Sequence, residues 1–138
     1  MKKILIIDDN PQNIQNFIDK VSDYKKYYVE IVMSLSDAER SIIINHYDVI
    51  VIDIMMPTQT IKNKDELETG LLFYKKKVEP VIDAQKTKIL FWSNLGDDVY
   101  KGFFLEGTPN NTYFLHKNLY NENHLLEKIN SILSEKTT

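Results

Sequence analysis

The sequence predicts an α/β domain built on a doubly wound parallel sheet. Three observations carry this expectation. Four short segments are nearly unbroken in apolarity, amphipathic segments with helical spacing separate them, and the apolar segments run into polar residues at their carboxyl ends. Strands covered on both faces produce the first pattern, and crossover helices produce the second.

The elements follow in order. KILII (3–7) is the first strand. The segment 11–24 repeats Ile14, Phe17, Ile18 and Val21 at helical spacing, with Asn10 as N-cap and Pro11 in the first turn. YYVEIVMS (27–34) alternates more than the other strands and suits an edge. The helix expected over 36–46 opens with SDAE, a capping box of Ser36 and Glu39, and turns Ala38, Ile42 and Ile43 inward. DVIVI (48–52) is the third strand. The segment 66–79 carries Leu67, Leu71, Leu72 and Val78, and Pro80 ends or kinks it. KILFWS (88–93) is the fourth strand, and 96–106 is a weaker helix because Gly102 lies inside it. YFLH (113–116) is the fifth strand. The helix over 121–134 presents Leu125, Leu126, Ile129, Ile132 and Leu133 as an apolar stripe. Residues 1–134 read as one domain and 135–138 as a tail or linker stub.

Composition narrows the class. A chain of 138 residues has the size of one domain and can bury a core without staples. The absence of cysteine excludes disulfides and thiolate metal sites, and fits the cytoplasm. The start, MKKILIIDD, has too short an apolar run for a signal peptide, and no run approaches membrane-spanning length. A net charge of −3 with interspersed signs argues against direct nucleic-acid binding by this domain.

In a doubly wound sheet, ligands bind outside the carboxyl ends of the strands. The first strand ends in Asp8 and Asp9, the third in Asp53, the fourth in Ser93 and Asn94, and the fifth in Lys117. If the strand order is 2-1-3-4-5, the three carboxylates converge, with Ser93 and Lys117 across from them. Such a cluster repels itself and calls for positive charge. Mg²⁺ suits a few carboxylates plus a phosphate oxygen, and Lys117 adds a second cation. A phosphoryl group would then find a metal, an ammonium and a hydroxyl, and a carboxylate could serve as nucleophile.

At this point the chain resembles the receiver domain of two-component response regulators, which are CheY-like. ILIIDDNP (4–11), VIVIDIMMP (49–57), LFWSN (90–94) and FLHKN (114–118) carry the resemblance, in matching order and spacing over nearly the whole chain. It implies a flavodoxin-like five-stranded sheet of order 2-1-3-4-5 with helices on both faces. It implies that Asp53 is the phosphoacceptor, that Asp9 binds Mg²⁺ directly and Asp8 through water, and that the Met55 carbonyl completes the ligands. Lys117 would pair with the phosphoryl oxygens, Ser93 would move to bond them, and Phe114 would be the switch aromatic. The implied donor is a sensor histidine kinase or phosphotransfer protein. The implied output is a downstream protein, or a second copy in a homodimer, on the face of the fourth helix, fifth strand and fifth helix. Such a protein is a signalling switch and not a metabolic enzyme.

Four features depart from the family pattern. The family's glycine about four residues beyond the proline corresponds to Gly70, thirteen positions after Pro57, so 58–66 reads as an insertion, expected to be a flap at the mouth of the site. Asn118 replaces a proline that often follows a cis bond, which is costlier without proline. Asn94 replaces a smaller residue, and Phe114 lacks the hydroxyl of the frequent tyrosine. The departures at Asn94 and Asn118 sustain a second reading, a phosphorylation-independent pseudo-receiver. A third, a Mg²⁺-dependent aspartyl phosphatase, wants an acid two residues after the nucleophile, where this chain has Met55. His116 should face away from Lys117, and His46 and His124 should sit in helices away from the site. Lys75 to Lys77 read as a solvated helix face. Trp92 reads as core, close enough to Ser93 for its fluorescence to report on the site. Of Tyr100, Phe103 and Phe104, core burial is favoured over a partner surface.

Overall fold

Successive side chains of a strand leave opposite faces of the sheet, so the unbroken run Val49–Ile52 needs cover on both sides. The computed structural model, which describes residues 1–9, 15, 19, 27–54, 69–94, 97–117 and 122–135, provides it. The run forms β3 (Val49–Ile52), the centre of a five-stranded, all-parallel sheet. The other strands are β1 (Lys2–Ile7), β2 (Tyr27–Val32), β4 (Lys88–Ser93) and β5 (Thr112–His116). The order is β2-β1-β3-β4-β5, the flavodoxin-like arrangement expected. β2 takes the edge that its alternating pattern suits.

Helices cover both faces. Leu5, Ile7, Ile50, Ile52, Ile89 and Phe91 form one layer with α1 (Leu35–Ile44), α2 (Thr69–Phe73) and α3 (Asp97–Phe103). Ile4, Ile6, Val49, Val51, Leu90, Trp92 and Leu115 form the other, against Leu125, Leu126, Ile129 and Ile132 of α4 (Glu122–Ser134). Burying each such side chain contributes about 1.5–3 kcal/mol relative to leaving it exposed. Among the described residues, no helix is long and apolar enough to cross a membrane.

Several boundaries differ from the expected ones. α1 is capped by Ser34, whose Oγ accepts from the Asp37 N–H at 3.2 Å, and not by the expected box of Ser36 and Glu39. Leu35 packs against the core and belongs to the helix, so Ser36 already lies in its first turn. The helix stops at Ile44, which leaves His46 outside it. Ala38 and Ile42, one turn apart, face the sheet, whereas Ile43 is rotated off that stripe and is 65% exposed. β5 is an edge strand, and Tyr113, Phe114 and His116 are only half-buried, so it lacks the full two-sided cover expected. α3 ends at Phe103, three residues early. Tyr100 is buried there and bonds Thr112 through its hydroxyl, while Phe103 and Phe104 pack half-buried against the core.

After Phe73 the helix widens into a π-helical turn, Tyr74–Val78. Tyr74 and Val78 stay buried, and Tyr74 meets Phe91 and Phe104 edge-on, with ring centroids 5.6 and 6.0 Å apart. Lys75 to Lys77 are exposed, as expected. The helix ends two residues before Pro80. In the segment 11–24, Gln15 and Asp19 are helical and exposed, while Asn10, Pro11 and its apolar stripe lie outside the described residues. So do Met55, Pro57, the insertion 58–66, Leu67, Asn118 with its peptide bond, and residues 136–138 of the tail.

Candidate functional site

The sheet's hydrogen-bond ladder continues one residue beyond its strands and fixes the polar residues there. The Asp8 N–H donates to the Val32 carbonyl at 3.1 Å, the Asp53 N–H to the Ile7 carbonyl at 3.1 Å, and the Lys117 N–H to the Ser93 carbonyl at 2.8 Å. Each backbone is therefore set by its neighbouring strand before any side chain is considered.

Alternation then selects which side chains meet. Ile4, Ile6, Val49, Val51, Trp92 and Leu115 all face α4. Counting on by twos reaches Asp8, Asp53 and Lys117, and these side chains converge. Lys117 Nζ donates to Asp8 Oδ2 at 2.7 Å and to Asp53 Oδ2 at 3.2 Å. Asp8 is 1% exposed and the Lys117 side chain 8%, so this is a buried ion triad and not a surface pair. Carboxylate oxygens of Asp8, Asp9 and Asp53 lie within 4.8 Å of one another, with Asp9 exposed. Three carboxyl groups thus face one ammonium, which leaves two negative charges formally in excess. The donor set is all oxygen, partly buried and open on the Asp9 side, which fits a hard divalent cation that keeps some of its waters.

Ser93 ends β4 fully buried. Phe114, on the opposite face of β5 from Lys117, stacks on Tyr100 with centroids 5.6 Å apart and rings inclined by 21°. His116 also turns away from Lys117 and approaches the Phe114 ring at 6.5 Å. The Met55 carbonyl lies outside the described residues.

Two contributors were not evident as such in the sequence. The first is the reason for Gly70. Its N–H donates to the Ile54 carbonyl at 2.7 Å, and a Cβ there would lie 2.1 Å from the Asp53 carbonyl oxygen. α2 therefore starts in contact with the backbone that carries Asp53, an approach open only to glycine. The second is Trp92, whose ring lies 4.8 Å from Lys117 Nζ. The pairing of Trp92 with Leu115 puts the two on one face, a consequence of strand register that sequence spacing does not specify.

No protein-family model and no curated protein matches the chain significantly. Solved structures do match it, and they share the fold of CheY-like response-regulator receiver domains. A two-component response regulator from Clostridium difficile is 23% identical, with all of both chains covered and a TM-score of 0.72. A CheY-like receiver domain protein from Methanospirillum hungatei is 22% identical over 96% of this chain and 94% of that one, with a TM-score of 0.71. The response regulator TrrA from Thermotoga maritima, solved in complex with Mg²⁺-BeF, is 23% identical over 96% of this chain and 99% of that one, with a TM-score of 0.60. At these identities the likeness is one of fold.

Proposed function

We propose that residues 1–134 form a response-regulator receiver that accepts a phosphoryl group on Asp53, a signalling switch and not a metabolic enzyme. The observation that carries this reading is the Lys117 ammonium spanning Asp8 and Asp53 inside an acidic cluster at the carboxyl edge of the sheet. A neighbour of the same fold binds Mg²⁺ and BeF, which is consistent with the donor set here. An Asp53 carboxylate oxygen attacks phosphorus. The new O–P bond replaces the P–N bond of a phosphohistidine, and the leaving imidazole nitrogen keeps the bonding pair. Lys117, already in contact with Asp53, passes to a phosphoryl oxygen as charge gathers there, and Ser93 offers its hydroxyl to another. Asp8, Asp9, Asp53 and the Met55 carbonyl would hold Mg²⁺, which when bound offsets negative charge on the transferring group.

The donor in this reading is a sensor histidine kinase or a phosphotransfer protein, in the cytoplasm. The output runs from Ser93 through β4 and β5 to Phe114 and Tyr100, and so to the face formed by α3, β5 and α4, where a downstream protein or a second copy would dock. Leu105, just beyond α3, is strongly exposed on the chain there.

Incubation with Mg²⁺ and acetyl phosphate, followed by intact mass, tests the proposal. The expected result is one added phosphoryl group, absent in Asp53→Asn. An unmodified wild type with every donor tried would overturn it in favour of a phosphorylation-independent binding module. Continued turnover of phosphate esters would point instead to a phosphatase.

A further inference from the structure

We infer that Trp92 is a positioning residue for Lys117, its indole face acting as a platform that aims the ammonium at Asp8 and Asp53. The inference rests on the receiver reading above. Lys117 Nζ is bounded on one side by the carboxylates, at 2.7 and 3.2 Å, and by the Trp92 ring at 4.8 Å. That distance is within the range where a ring quadrupole attracts a cation, and tryptophan gives the strongest attraction of the aromatic side chains. Burial strengthens the effect, because Trp92 is 4% exposed and the Lys117 side chain 8%.

Plain core filling explains Trp92 less well. A buried indole usually finds an acceptor for its N–H. Among the described residues Trp92 Nε1 is buried with no hydrogen-bond partner. An aliphatic side chain or phenylalanine in β4 would fill the layer without stranding a donor, as Leu90 does two residues earlier. An aliphatic side chain would put no electron-rich face under the ammonium, and phenylalanine only a smaller and weaker one.

The chemistry explains why a ring serves better than another acid. The lysine head has to leave a carboxylate for a phosphoryl oxygen as Asp53 reacts. A third carboxylate would hold it at one point. A ring face confines it laterally while letting it slide, and confinement matters because the lysine stem is long and freely rotating.

The full chain, its Trp92→Phe and Trp92→Leu variants, and Lys117→Gln test this. Trp92 is the only tryptophan, so its emission is unambiguous. In the wild type, ring current should move the Lys117 methylene protons near the ammonium upfield in the NMR spectrum. Trp92→Phe should keep part of that displacement and Trp92→Leu should abolish it, while Lys117→Gln should alter Trp92 emission without added metal. The initial rate of Asp53 phosphorylation by acetyl phosphate should fall about threefold in Trp92→Phe and about tenfold or more in Trp92→Leu, the span expected from a partly to a fully desolvated cation–ring contact. Wild-type rates in a folded Trp92→Leu, or Lys117 protons at their ordinary positions in the wild type, would overturn the inference. If Trp92→Leu does not fold, the partial effects in Trp92→Phe decide it. If the wild type takes no phosphoryl group, the receiver reading fails, and the proton positions alone decide whether the indole holds the ammonium.

Discussion

Lys117 is the only cation in contact with two buried carboxylates among the described residues of the site, so its loss should cost more than a typical surface charge. Removing one member of a buried ion cluster strands the others in a poor solvent and costs about 3–5 kcal/mol. Lys117→Met should therefore lower the unfolding free energy by roughly that amount in denaturant titrations without divalent ions. Millimolar Mg²⁺ should raise the melting temperature of the variant more than that of the wild type, because a bound cation would take over the neutralising role. A variant as stable as the wild type in metal-free buffer would show that Asp8 and Asp53 do not depend on the lysine. At this scale much was legible in the sequence. Acids and a lysine closing apolar strands pointed to the cluster that Asp8, Asp9, Asp53 and Lys117 form. The place of Trp92 beside Lys117 was not legible, because it depends on which residues of β4 and β5 pair.

Among the elements, α2 starts directly against the backbone of Asp53. Gly70→Ala would place a methyl group 2.1 Å from the Asp53 carbonyl oxygen, so either the helix retreats or the Asp53 backbone moves. Overpacking of this kind costs typically 1–3 kcal/mol. The variant should melt at a lower temperature, and its rate of phosphorylation should fall even where it remains fully folded, because the crowded atom belongs to Asp53, the proposed phosphoacceptor. An unchanged rate and melting temperature would mean that the helix start has room to retreat. The strands were placed to within two residues by sequence, since two-sided burial leaves a continuous apolar run. The helix limits were harder to read. Ser34 and Ser36 are both competent caps, and the packing of Leu35 decides between them. The π-helical turn at Tyr74–Val78 has no sequence signature, and it keeps Tyr74 facing Phe91.

Across the whole molecule, the two ends of the sheet have different tasks. At the amino ends, polar groups close the structure: Thr87 donates to the Tyr47 carbonyl at 2.7 Å and Asn111 Nδ2 to the Thr87 carbonyl at 3.2 Å. Three tyrosines make the fold sensitive to alkali. Burial foremost, and then neighbouring glutamates, push Tyr47, Tyr74 and Tyr113 up to about 12. Their folded values lie above the unfolded value of about 10, so the stability they contribute is complete below pH ~10 and lost as pH rises through about 12. Denaturant midpoints should decline steeply across that window, together with the rise of tyrosinate absorbance, and Tyr47→Phe should flatten part of the decline. Separate titration of the tyrosines before unfolding would contradict this. The topology was legible because alternating strand and helix patterns with right-handed crossovers leave few arrangements, and the strand-end residues favoured one of them. The hydrogen bond from Gly70 to Ile54 has a further consequence. It holds Ile54 and Gly70, one on each side of 55–68, in contact, and the entropy of joining two fixed points by a chain grows only logarithmically, by about 0.6 kcal/mol per doubling of length. Chain length at this rim is thus decoupled from the stability of the sheet. The rim is a graft point, where a foreign peptide could be spliced in while the frame that holds Asp53 keeps its shape.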